Sequence, residues 1–167
     1  MPIIQTRNPE AEQLTSPDQA WAERNHCAEW YDTAGGLGTV AAATVPLATA
    51  RHNFAPELYV MATNILTITE AGLYKFEFLV AASKAGSTEG SFYAFLEEDP
   101  DTGTFVLVPA TTAYTTVFSA PGSVNGSVIL RAGANYRYRL RFATFGPTFT
   151  TIDEGSKLSV TRIYKNG

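Results

Sequence analysis

From about residue 58 onward the apolar residues of this chain recur at every second position, and that period admits few folds. An extended chain points successive side chains to opposite faces, so each such segment buries one face and exposes the other. Residues 73–82 show the pattern most fully: Tyr74, Phe76, Phe78 and Val80 share one face, and Leu73, Lys75, Glu77 and Leu79 the other. Further strands are predicted at 58–68, 91–97, 104–108, 113–118, 126–131, 135–144 and 157–164. Turn chemistry separates them, at Glu70-Ala71-Gly72, Ala85-Gly86-Ser87, Asp99-Pro100-Asp101-Thr102-Gly103, Pro121-Gly122, Ala132-Gly133 and Gly155. Many short strands at this spacing make an all-β sandwich or barrel.

Composition sets the outer bounds. A chain of 167 residues suits one domain with a core of its own. With 45% hydrophobic and 17% charged residues it is neither a disordered chain nor a coiled coil. The net charge of -4 opposes general nucleic-acid binding. No apolar run approaches the ~20 residues of a membrane-spanning helix, so no membrane insertion is expected. The single cysteine, Cys27, excludes an internal disulfide. The first ten residues lack the basic and apolar segments of a secretion signal, which predicts either assembly in the cytoplasm, favoured by Met1, or prior removal of a leader.

The N-terminal third reads differently. Residues 1–15 form a polar arm interrupted by Pro2 and Pro9. Residues 16–32 are predicted as one short helix, capped by Ser16, with Pro17 at its first position and Gln19 completing a capping box. Gly35, Gly36 and Gly38 stop it. Trp21, Trp30 and Tyr31 on this helix are candidate attachment residues. Large amphipathic aromatics anchor interfaces, whether with the barrel, a neighbouring subunit or a larger assembly. Residues 37–57 read as a linker with one short strand near 39–45.

Tyr59, Leu66, Gly72, Tyr74, Phe76 and Phe78 stand in the order Tyr-x6-Leu-x5-Gly-x-Tyr-x-Phe-x-Phe. This run resembles the signature of the globular head of complement component one, subcomponent q. That head belongs to the jelly-roll superfamily that includes tumour necrosis factor. Ser127-Val128-Ile129-Leu130-Arg131-Ala132-Gly133 and Ser156-Lys157-Leu158-Ser159-Val160 are similar to the family's later strands. The chain departs from the pattern at Leu66, Ala134, Leu158 and Val160. The resemblance covers about residues 54–164 and implies a jelly-roll sandwich of about eight to ten strands. The division it suggests is an arm, helix and linker at 1–50 and a jelly-roll domain at 51–167. It further implies a homotrimer packed around aromatic residues near a threefold axis. Tyr74, Phe76, Phe78, Tyr136, Tyr138 and Phe142 are the trimer or core aromatics on that reading.

Residue chemistry offers three candidate sites. Tyr136, Tyr138, Leu140 and Phe142 share one face of a strand, and Arg137, Arg139 and Arg141 share the other. Such a guanidinium ladder can grip a carboxylate, a phosphate or an acidic glycan. The ordinary alternative is an exposed strand face, or pairing with Glu77 or another acid across the sheet. Glu97, Glu98, Asp99 and Asp101 supply hard oxygens of the kind that bind calcium, although Asp-Pro-Asp-Thr-Gly is also good hairpin chemistry. His26 and Cys27 are neighbours with no third group to orient them, and His52 is remote. No nucleophile elbow, phosphate loop or dinucleotide fingerprint is present. The chain therefore reads as a non-enzyme with no cofactor.

The reading that results is a trimeric structural or binding protein of a virion surface, such as a phage capsid-decoration, head-fibre or tail-associated protein. Its partners would be further copies of itself, a major capsid or other virion protein, and a host surface glycan. The alternative is an extracellular ligand or lectin-like module of the complement-head type.

Overall fold

A computed structural model of the protein describes residues 26–36, 38–39, 41–84, 89–117 and 121–165. Among these residues there are fourteen strands, several only two residues long, and no helix. One antiparallel sheet is built on β7 (Gly72–Ser83), with β11 (Gly122–Ala132) along one of its edges. Its other edge takes β14 (Lys157–Lys165) and, further along, β13 (Phe149–Thr151). Beyond β14 come β1 (Cys27–Tyr31) and β4 (Thr49–Asn53), and beyond β13 comes β2 (Gly38–Thr39).

The second sheet centres on β8 (Gly90–Asp99) and β12 (Tyr136–Phe145). On the outer side of β8 lie β9 (Val106–Leu107) and β10 (Ala113–Val117). On the outer side of β12 lie β3 (Ala43–Thr44) and β6 (Ile65–Ile68), with β5 (Tyr59–Ala62) beyond. Thr63 and Asn64, at φ 49° and 63°, make the tight hairpin between β5 and β6. That left-handed pair matches the twist of the flanking strands. The two sheets form the sandwich that the alternating pattern predicts.

The core lies where the inward faces meet. Tyr74, Phe76, Phe78 and Val80 of β7 face Phe92, Leu96, Tyr138, Leu140 and Phe142 of the other sheet, and all are buried. The rings of Phe76 and Tyr138 pack at 4.5 Å, those of Phe92 and Phe142 at 5.6 Å, and those of Phe92 and Phe149 at 5.1 Å. Tyr136 packs against this cluster from its margin. These aromatics are covered within a single chain, so they hold the sandwich together. Of the trimer-or-core alternatives, burial within one chain matches the core role for Tyr74, Phe76, Phe78, Tyr138 and Phe142, while Tyr136 stays half-buried at the margin.

The predicted helix is also corrected. Five of its last six residues, Cys27–Tyr31, form β1, which lies between β14 and β4 in the first sheet. Alternation along β1 sends Ala28 and Trp30 into the core and leaves Cys27 and Tyr31 half-buried. Local helix preference is weak, and two ladders of backbone hydrogen bonds plus burial of Trp30 override it. Trp30 and Tyr31 are therefore parts of the sheet, not of an attachment helix. Trp21, with the arm and the predicted helix up to residue 25, lies outside the described residues. Among the described residues the sandwich already includes β1, β2, β3 and part of β4, which lie before the boundary expected at residue 50.

Gly72 is needed for a reason other than the turn expected there. A Cβ on it would sit 2.7 Å from the carbonyl oxygen of Tyr164 on the adjacent β14. Strand β7 approaches β14 that closely only because the residue has no side chain.

Candidate functional site

The arginine ladder and the acidic run are one structure. Strands β8 and β12 pair so that Arg137 faces Asp99 and Arg139 faces Glu97. Arg137 is ion-paired to Asp99. Arg139 Nε donates to Glu97 Oε2 at 2.6 Å, and Arg141 Nε lies 3.5 Å from the same oxygen. Arg141 also donates to Thr44 Oγ1 at 2.9 Å and to the Ala42 carbonyl at 2.8 Å, which fastens β3 to the sheet. The Phe105 ring lies 4.1 Å from the Arg139 guanidinium and 5.7 Å from that of Arg137. A guanidinium over an aromatic face is attracted by the ring quadrupole.

Asp99 closes the turn that follows β8. Its Oδ1 accepts the N–H groups of Thr102 at 2.7 Å and Gly103 at 3.0 Å, and its Oδ2 pairs with Arg137. Burial pushes its carboxyl upward, but the Thr102 N–H, Arg137 and the Thr102 hydroxyl outweigh this and hold it below the usual carboxylate range. Both oxygens are thus engaged by the protein itself. Glu98 turns to the opposite face, in register with Tyr138, whose phenol is pushed upward first by burial and then by the charge of Glu98. The structure therefore splits the calcium candidates Glu97, Glu98, Asp99 and Asp101 rather than gathering them. No group of three or more potential metal-ligating side chains occurs among the described residues. For the arginines, the geometry matches the pairing alternative, with Glu97 and Asp99 in place of Glu77.

Two polar clusters escape sequence reasoning. On the outer face of the first sheet, the nearly buried Glu29 accepts Ser159 Oγ at 2.8 Å and Lys157 Nζ at 3.1 Å, with Arg51 at 3.3 Å. Burial raises its carboxyl, but Ser159, Lys157 and Arg51 together bring it below the ordinary value. A shallow cavity of about 460 Å³ opens beside it, lined by Glu29, Glu77, Leu79, Asn125, Lys157 and Ser159. The only signal for it in the sequence is an acid within the apolar run Cys27-Ala28-Glu29-Trp30-Tyr31.

The second cluster closes one end of the sandwich. The His26 carbonyl accepts the Tyr59 hydroxyl at 2.7 Å and the Arg162 N–H at 2.9 Å. Arg162 also binds Glu70 Oε2 at 2.9 Å and lies 3.0 Å from His26 Nδ1. The Tyr74 hydroxyl donates to the Glu70 carbonyl at 2.8 Å. His26 therefore has a structural partner, while His52 stacks on Phe54 with centroids 5.1 Å apart. Neighbouring residues of an extended chain point to opposite sides, so His26 and Cys27 form no catalytic pair.

No protein-family model matches the sequence, and no curated protein matches it. Solved structures match the fold. Eiger TNF from S. frugiperda is similar over 84% of this chain and 94% of its own, with a TM-score of 0.66 at 11% identity. Murine APRIL is similar over 82% of this chain and 98% of its own, with a TM-score of 0.58 at 9% identity. The globular domain of zebrafish complement 1qA protein is similar over 84% and 98%, with a TM-score of 0.56 at 14% identity. The chain thus has the jelly-roll fold shared by tumour necrosis factor and the complement head.

Proposed function

We propose that this chain is a non-enzymatic, self-associating display module, three copies of which form a knob on the surface of a virion. The observation that carries the reading is the sandwich itself: a jelly roll whose conspicuous charged ladder is spent on its own strand pairing. What remains outside is contact surface. Tyr114 and Phe145 are more than three-quarters exposed, and Ile129 is more than half exposed. These are among the large apolar side chains left available for contacts outside the sandwich. Ile129 belongs to β11, an eleven-residue strand that pairs only with β7 among the described residues. A long edge strand with an open side is normally covered. The threefold arrangement is what the sequence resemblance implies. The virion assignment draws on the sequence of the N-terminal segment, which reads as an attachment arm.

Light scattering on the purified chain tests self-association: a particle of about three times 18.0 kDa is expected, and a stable monomer would overturn the reading. Mass spectrometry of purified particles from the source tests the location. Presence in the particle supports the virion reading. Recovery only from the surrounding medium favours the second reading, an extracellular ligand of the complement-head type, to which the fold likeness gives specific support.

A further inference from the structure

We propose that the outer face of the second sheet binds a neutral carbohydrate, with the rings of Tyr93, Phe95, Tyr114 and Phe145 as its platform. Alternation and register bring these four together. Phe92, Ala94 and Leu96 of β8 are buried in the core, so Tyr93 and Phe95 point outward. Pairing with β10 sets Tyr114 beside Tyr93 and Thr116 beside Ser91. Pairing with β12 sets Phe145 beside Ser91, Ala143 beside Tyr93 and Arg141 beside Phe95. The Tyr93 and Phe95 rings are near-parallel, with planes 21° apart and centroids 5.8 Å apart. Tyr114 is 77% exposed and Phe145 79%. At ~150–250 Å² per aromatic side chain, those two alone leave on the order of 300 Å² in water. A contiguous aromatic patch rimmed by polar groups is the form a ligand-binding surface takes.

The groups beside the rings select the occupant. A sugar ring offers a face of C–H groups and a rim of hydroxyls, so it needs apolar rings against it and hydrogen-bonding groups around it. Here the rim is uncharged. The exposed Ser91 and Thr116 hydroxyls lie 3.0 Å apart. The Tyr93 and Tyr114 hydroxyls have no hydrogen-bond partner among the described residues. The charge at the margin, Arg141, is already held by Glu97, Thr44 and the Ala42 carbonyl. An ionic ligand would find no unengaged countercharge in the patch, so the match is to a neutral one. Size points the same way. The patch spans three strands and residues 91–95 of β8, about 10 Å by 13 Å at ~4.8 Å between strands and ~3.3 Å per residue. That accommodates one or two sugar rings, whereas a stable protein contact covers about 800 Å² on each partner. Strand β8 is paired on both sides here, so an added peptide strand finds no open rungs on it. The inference gives Tyr114 and Phe145 to the ligand, leaves Ile129 and β11 for contacts between copies, and does not depend on a virion location.

The test presents the labelled full chain to an array of neutral glycans ending in glucose, galactose, mannose, N-acetylglucosamine or fucose, with sialylated and sulfated glycans as the acidic arm. Binding to at least one neutral glycan is expected, with little change on adding salt. Tyr114→Ala and Phe145→Ala should each weaken it about tenfold while keeping the near-ultraviolet circular dichroism of the folded chain. Saturation-transfer magnetic resonance reads the same site in the unaltered chain: irradiating aromatic protons should saturate the C–H protons of the bound sugar. Ile129→Ser, on the other sheet, should bind the free sugar in solution as the unaltered chain does, even where it no longer self-associates, so loss of the trimer and loss of this site are separable. The proposal is overturned if no neutral glycan binds, or if binding is indifferent to both aromatic substitutions. Retention of acidic glycans alone, lost in salt, also overturns it, because that places the ligand on the arginines. So does a shift of both aromatic variants from three copies to one in light scattering, which makes the patch a contact between copies.

Discussion

The two faces of β12 carry comparable side-chain bulk but obey different physics. Inward, Tyr138, Leu140 and Phe142 are buried and touch the opposite sheet. Outward, Arg137, Arg139 and Arg141 bind acids and hydroxyls of neighbouring strands in their own sheet. The inner face is held by removal of apolar area from water, about 25 cal/mol per Å², and by close packing. The outer face is held by ion pairs between partly exposed arginines and acids of which Asp99 is buried and Glu97 half-buried, so charge attraction there is offset by the cost of desolvating the charges. A residue pattern that looks like a ligand grip from one strand is thus ordinary sheet pairing once its neighbour is known.

The largest expected effect lies on the inner face. Phe76→Asp places a carboxylate against Tyr138 with no partner, and the expected outcome is loss of the folded state, seen as collapse of the near-ultraviolet circular dichroism. Were Phe76 a contact between copies, the same substitution would give a folded monomer instead. Next comes Trp30→Ala, expected to cost about 3–5 kcal/mol in urea unfolding because the side chain is buried in β1. A cost near zero would return Trp30 to an exposed attachment role.

A smaller, pH-dependent effect separates the faces by charge. Glu29 and Asp99 both titrate below their ordinary values in the folded chain. The unfolded chain therefore binds more protons around those ordinary values. Their contribution is complete above the ordinary carboxylate range and is lost as pH falls through the lowered values. Urea midpoints should hold level from pH 7 to about pH 5 and fall below about pH 4. Glu29→Gln and Asp99→Asn should each flatten part of that fall, and unchanged acid limbs in both variants would contradict the assignment.

The smallest effect belongs to the half-buried ion-pair seam on the outer face. A double-mutant cycle with Glu97→Gln and Arg139→Gln should give a coupling of about 0.5–1 kcal/mol, diminished by salt. Zero coupling, accompanied by binding of an acidic sugar that Arg139→Gln abolishes, would restore the anion-grip alternative.

Much of the sandwich is legible in the chain because alternation is a local property. Tyr74, Phe76 and Phe78 announce a strand with one buried face, and the Gly-, Pro- and Asp-rich stretches announce where strands end. Strand β1 is not legible in the same way. Ser16, Pro17 and Gln19 are helix-start cues, but from Cys27 on the outcome is decided by the vacancy between β14 and β4, more than a hundred residues apart in the chain. The candidate site divides along the same line. The arginines stand out as a stripe, and the acids stand out as a turn. That Glu97 and Asp99 satisfy Arg139 and Arg137 depends on the register between β8 and β12. Glu29 and Arg162 give almost no signal, because their partners converge from distant strands.

By itself the sequence determined the strand period, the inward face of each long strand, the principal turns and the all-β sandwich class. Those follow from side-chain alternation, backbone sterics and the burial of aromatic area, which act over a few residues. Only the tertiary structure decided that Cys27–Tyr31 is a strand, that the core aromatics are covered within one chain, and that the arginines are already paired. Those depend on which strands become neighbours and in what register, and a one-residue change of register would move every outward arginine to the inside.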